Sequence, residues 1–205
     1  MNPDKARIRE LIERWVVWRD MGDWDRLRTI WHEDGTMAAS WRQGTADEFI
    51  QANREGWSKG LDILHQLGAS DITVRANRAV SMTKMVISQR AELHGVLCDV
   101  SCQSRHVDFW EARNSKRGLV RRETIFDRDR IDVVVPGQSL QLDNSVLDSY
   151  PKNYRHLAYL QQSIGYAVRR DMPCLRSAAA DELVGQGASW LEGATAAPVA
   201  DNVFA

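Results

Sequence analysis

The side chains in this sequence with chemical capacity are few and scattered. Asp20 closes an amphipathic stretch crowded with tryptophan, "RWVVWRDMGDWDRLRTIW". Five histidines follow or flank the middle of the chain: His32, His65, His94, His106 and His156. An imidazole exchanges a proton near neutral pH without a large shift, so any of them can serve as a general acid or base. In "LVRRETIF", strand alternation sets Val120, Arg122, Thr124 and Phe126 on one face and Arg121 and Glu123 on the other. An arginine interleaved with apolar residues either faces a developing oxyanion or is paired with an acid, for which Asp20 and Asp108 are candidates. No two histidines have the three- or four-residue spacing of a helical metal site, and the acids offer no obvious third ligand. Metal-free chemistry is expected.

Composition narrows the classes further. Hydrophobic residues make up 43% of the 205, charged residues 27%, and the net charge is −1, which supplies no field for holding nucleic acid. The start, "MNPDKARIRELIERW", lacks the apolar run of a signal peptide, and no run elsewhere reaches membrane-spanning length. A cytoplasmic protein without nucleic-acid or membrane partners is expected. The three cysteines, Cys98, Cys102 and Cys174, form no paired framework and read as reduced thiols. Glycine-rich phosphate loops and nucleophile elbows are absent, which argues against nucleotide cofactors and serine hydrolases. Eight tryptophans exceed what a core of this size needs and suit a wide, flat-walled cavity. Trp15, Trp41, Trp110 and Phe126, with His106, are the candidate substrate contacts.

The elements that must position these groups follow from period and punctuation. Asn2 and Pro3 start a helix over 4–21 whose stripe is Ile8, Leu11, Ile12, Trp15, Val16 and Arg19. Gly22 stops it, and Asp23 caps a second helix from Trp24 to Trp31 that ends in "HEDG". A short strand is expected over 36–41. "TADEFIQANREGWSKG" carries a Thr cap, Glu48 three residues on and a closing Gly60, the marks of a third helix. From Leu61 the chain turns β-branched, broken by Asn-Arg, His-Gly and Asn-Ser-Lys-Arg-Gly turns, so four or five antiparallel strands follow. The fold class is therefore α+β, helices on one face of a curved sheet. After Pro136 helical pattern returns in "NYRHLAYLQQSIGYAVRR", with Leu157, Leu160, Ile164 and Val168 on one stripe, and near "RSAAADELVGQGASWLEG". Two units result: 1–135, and a helical extension over 136–205 acting as lid or oligomer contact, whose last dozen residues read as frayed.

The helix order, "RWVVWRDMGDWDRLRTIWHEDG", "LHQLGASDI" and "RHVDFWEARNSKRGLVRRETIFDRDRID" together resemble the SnoaL-like branch of the NTF2-like superfamily over residues 5 to 135. Scytalone dehydratase and hexachlorocyclohexane dehydrochlorinase belong to that group. The resemblance implies a cone-shaped α+β fold with a pocket between sheet and helices, and a dyad in which the helix-end acid, here Asp20, orients a strand histidine, here His65. It implies Arg122 as the counterpart of a last-strand arginine. Trp15 stands where the dehydrochlorinase has a lysine, so a halide clamp is missing and halide elimination is not expected. His106 is the nearest match to the second histidine of the dehydratase, with a satisfied polar residue at the sheet edge as its alternative.

The function this implies is a cofactor-independent lyase acting on a small hydrophobic, aromatic compound. It would dehydrate its substrate, or release formaldehyde from a lignin-derived diaryl propanediol to give a stilbene. A ketosteroid-type isomerase and a non-catalytic ligand carrier or assembly module are the alternatives, and relatives of this kind form homodimers or homotrimers through their sheets.

Overall fold

The computed structural model describes residues 2–196. Helix α1 spans Pro3–Asp20, capped at Asn2, whose side chain accepts from the Asp4 N–H at 2.9 Å. Gly22, at φ 72°, ends it in the left-handed region, and Asp23 rather than Asp20 caps the short α2, Trp24–Arg28. Asp20 is thereby left free for another role. Strand β1, Trp31–Ala38, begins where the pattern suggested that the second helix would end, so "HEDG" lies in a strand. A register shift between Trp31 and Thr36 explains why its alternation is illegible. The three-residue strand β2, Gln43–Thr45, escaped the sequence reading; it leads into α3, Ala46–Ser58, through the expected capping box of Thr45 and Glu48.

Four long strands make the rest of the sheet: β3 Asp62–Arg75, β4 Arg78–Leu93, β5 Val96–Arg113 and β6 Lys116–Val133. The order is β2-β1-β6-β5-β4-β3, antiparallel except where β1 runs parallel to β6. Two hairpins turn through paired positive φ angles, His94 (52°) with Gly95 (78°) and Asn114 (48°) with Ser115 (63°). This is the α+β architecture expected, helices packed on one antiparallel-rich sheet. One face differs from simple alternation: a bulge opposite Phe109 and Trp110 turns Val120 away from Arg122, and it packs with Val107, Phe109 and Ile125.

The two faces of the sheet carry separate cores. On the inner face α1 and α3 cover one part, with Ile8, Ile12, Trp15, Phe49 and Trp110 in its core. The extension covers the other part through α4 (Asn144–Asp148) and α5 (Arg155–Ser163), where Leu157, Leu160 and Tyr154 pack against Cys98, Val100 and Phe126. Helix α5 is shorter than its pattern. It stops at Ser163, so Ile164 is its C-cap and Val168, though buried, lies beyond it. The chain then passes the edge of β6 that lies open beyond its pairing with β1: the Phe126 N–H donates to Pro173 O at 2.9 Å and the Leu175 N–H to Phe126 O at 2.8 Å. Helix α6, Ala178–Leu191, emerges on the outer face and lays Ala180, Leu183 and Trp190 over Val107, Phe109 and Ile125. Most of the expected frayed tail, 197–205, lies outside the described residues. No helix among them is long and apolar enough to cross a membrane.

Candidate active site

Because Gly22 rather than Asp20 closes α1, the Asp20 carboxylate can turn to the sheet, where it meets His65 on β3. Its Oδ1 lies 2.8 Å from His65 Nδ1, and its Oδ2 accepts the His65 backbone N–H at 2.7 Å. Arg19 braces the same corner. Its guanidinium donates to Asp20 Oδ1 at 3.3 Å, to Ile63 O at 3.0 Å and to Asn53 Oδ1 at 2.9 Å, joining α1, β3 and α3. Asn53 is itself fixed by donating to Phe49 O at 2.8 Å.

Charge follows from these bonds. Burial pushes the Asp20 carboxyl up, but the bond from the His65 ring, the charge of that ring, the His65 backbone N–H and the Arg19 guanidinium outweigh it and hold the group below the usual carboxylate value. Burial pushes His65 below the usual imidazole value; Asp20 opposes this, while the cations Arg19 and Arg122 add to it. An ionised carboxylate only accepts, so the neutral ring carries its proton on Nδ1 and turns the Nε2 lone pair away from Asp20.

The His65 ring opens into a hollow between sheet and helices, whose wall includes Trp15, Trp41, His106 and Phe126. Four of the five candidate substrate contacts thus share one chamber with His65. His106 and His65 both meet Trp15 edge-on, with ring centroids 5.3 and 5.4 Å away. His106 lies on the central β5, buried, and not at a sheet edge. Burial, then the charges of Arg122 and His65, drive its pKa well below that of free imidazole.

Two expected residues are placed elsewhere. Arg122 does not line the chamber: it forms a two-point ion pair with Asp108, at 2.6 and 2.8 Å, and both side chains are almost fully buried. Its guanidinium carbon sits 4.5 Å from the centroid of Trp15, behind the wall. Of the two readings of that arginine, the salt bridge is the one the packing realises, because an unpaired guanidinium this deep would be costly. Trp110 is likewise a core residue; its Nε1–H donates to Ser81 Oγ at 2.9 Å, and Ser81 Oγ donates in turn to Asp108 at 3.3 Å.

The remaining histidines do not line the chamber. His32, in β1, reaches Glu111 O at 3.0 Å through Nε2. His94 meets the Tyr159 hydroxyl at 2.8 Å. His156 is held by Asp129, which also accepts the N–H groups of His156 and Leu157 at the start of α5.

Sequence reasoning missed the polar residues that flank the dyad. Arg19 was visible only as a charge on an apolar stripe, and Asn53, Gln89 and Gln161 carried no motif. Gln89 on β4 and Gln161 on α5 border both the inner chamber and an outer one, whose own wall includes Trp57, Leu61 and Tyr166. The Ser40 hydroxyl donates to Gln161 Oε1 at 2.8 Å. Among the described residues no cluster of His, Cys, Asp and Glu could hold a metal ion.

Residues 2–114 match the model of the SnoaL-like domain. Over 201 aligned residues the chain is 32% identical to the Pea pathogenicity protein 2 of Fusarium vanettenii, covering 93% of this chain and 86% of that one. Among solved structures, a candidate scytalone dehydratase from Novosphingobium aromaticivorans superposes with a TM-score of 0.54 at 17% identity, over 68% of this chain and 97% of the other. The hexachlorocyclohexane dehydrochlorinase LinA-type3 of Novosphingobium barchaimii does so with a TM-score of 0.53 at 13% identity, over 69% and 96%. At those identities the likeness is one of fold.

Proposed function

The chain belongs to the SnoaL-like family, and from that premise we propose that it is a cofactor-independent lyase acting on a small hydrophobic, aromatic compound. The observation that carries the reading is the Asp20–His65 pair, made inside the protein with the free face of the imidazole toward an aromatic-walled hollow. In this mechanism His65 Nε2 takes a proton from a carbon or hydroxyl of the substrate. Asp20 holds the ring in the correct tautomer and stabilises the imidazolium that forms. The proton then goes to the departing oxygen, which leaves as water. His106, neutral and also against Trp15, would hydrogen-bond that oxygen. Arg122 acts from behind the wall as a buried positive charge that helps to keep both imidazoles neutral.

Dehydration and the release of formaldehyde plus water from a lignin-derived diaryl propanediol, giving a stilbene, use the same groups. The solved candidate dehydratase and the dehydrochlorinase share this fold, which suits an elimination. Against a ketosteroid-type isomerase stands the engagement of both Asp20 oxygens, which leaves no free carboxylate to act as base. Against a passive carrier stands the presence of an oriented, neutral base that simple binding does not need. His65→Ala tests the reading: the variant is expected to fold and to lose turnover of aromatic diols by at least a hundredfold, and unchanged turnover would remove His65 from the mechanism.

A further inference from the structure

The inner chamber contains a polar group that the acid–base chemistry does not use. Gln89 is 1% exposed, borders both chambers, and its Nε2 has no hydrogen-bond partner among the described residues. A buried amide N–H without a partner is costly to keep, so a protein that retains one in a ligand pocket gains from the partner that arrives there. A leucine or methionine would fill the same space on β4 without that penalty. Beside it, Gln161 has its amide oxygen occupied by the Ser40 hydroxyl, which directs its NH2 end away from Ser40. Both amides stand where the inner chamber meets the outer one.

Register fixes the backbone offset between Gln89 and the base. His65 pairs with Ile87 across β3 and β4, and Gln89 pairs with Ile63. Gln89 is therefore two residues farther along the same face, about 7 Å from the position opposite His65. That offset matches the span across a benzene ring substituted at opposite ends. The ring would lie between Trp41 and Ile63, both of which border the two chambers.

We propose that Gln89 is the specificity residue of the pocket, its amide N–H binding an oxygen para to the carbon chain on which His65 acts, so that the substrate class is a 4-oxygenated phenyl compound. This rests on the lyase reading for the orientation of the substrate, with its reacting carbons at His65 and its ring oxygen at the neck. The outer chamber, toward Tyr166 and the half-exposed Trp57, then holds whatever the oxygen or ring carries beyond that point.

The test reads binding alone. Isothermal titration calorimetry compares 4-ethylphenol with 4-ethyltoluene, in which a methyl group replaces the hydroxyl, on wild type, Gln89→Leu and Gln89→Met. Wild type is expected to prefer the phenol by about tenfold, and both variants are expected to lose that preference while melting no lower than wild type. The shape-conserving Gln89→Met keeps the test decisive if the leucine variant does not fold. A preference that survives in the variants, or none in wild type, overturns the proposal. Because no turnover is measured, such a failure leaves the role of His65 untouched, and an inactive role for His65 would leave this result unchanged.

Discussion

Asp20 grips His65 at two points, the ring Nδ1 at 2.8 Å and the backbone N–H at 2.7 Å, so the carboxylate sets the position of the strand and the tilt of the imidazole together. Asp129 holds His156 in the same two ways, at 2.8 and 2.6 Å, yet that pair caps α5 and borders neither chamber. The bond pattern alone does not make a catalytic dyad. What distinguishes Asp20 and His65 is the hollow in front of the ring.

Asp20 raises the basicity of His65, so replacing it has a defined sign. Asp20→Asn can still accept the backbone N–H, and it should fold, but the His65 pKa should fall further below its wild-type value. Imidazole titration by NMR measures this; an unchanged or higher value in the variant would contradict the arrangement. Turnover should drop by about 10²- to 10⁴-fold.

Stability should depend on pH through His106. Its native pKa lies well below the 6.5 of an unfolded imidazole, so as pH falls the unfolded chain takes up the proton first. The stabilising effect of the neutral ring is complete above about pH 6.5 and declines as pH drops below it, with a slope of about 1.4 kcal/mol per pH unit per proton. Urea melts of wild type and His106→Leu between pH 7 and 5 should show a shallower decline in the variant. His65, also lowered, contributes in the same direction.

The same shift predicts the acid limb of activity. Since the His65 pKa is held below the usual imidazole value, the acid limb of kcat/KM should have its midpoint below pH 6.5. A limb at or above 6.5 would mean that a different group is being titrated.

Arg122 and Asp108 are matched behind the wall, 1% and 0% exposed at their side chains. Asp108→Ala should lower stability by about 3–5 kcal/mol, because it strands a buried guanidinium. The double variant Asp108→Leu/Arg122→Met should recover much of that loss. Equal losses in the single and double variants in urea titrations would show that the pair is not coupled.

Much of this was legible in the chain, and the gaps have physical causes. The capping box at Thr45 and Glu48, the His-Gly turn and the β-branched meander are local signals, and each stands where its residues put it. The partnership of Asp20 with His65, 45 residues apart, came from family resemblance, since no local pattern encodes it. Strand alternation identified the Arg122 face but could not show that Asp108, directly across in β5, would claim it, nor that a bulge would turn Val120 outward. The start of β1 at Trp31 was hidden by its irregular register. Gln89 and Gln161 were invisible because an amide has no spacing signature; only burial without a partner, or with one end taken, marks them.

The passage of the chain over the edge of β6 at Phe126 ties two distant surfaces into one mechanical unit. Gln161, at the neck of the pocket, and Trp190, clamped on the outer face, belong to a single strap drawn around that edge. Slack introduced outside, by prying Trp190 from its seat or trimming α6, would be transmitted inward as a looser pocket wall. Ligands could then be gained or lost without any residue of the hollow being touched.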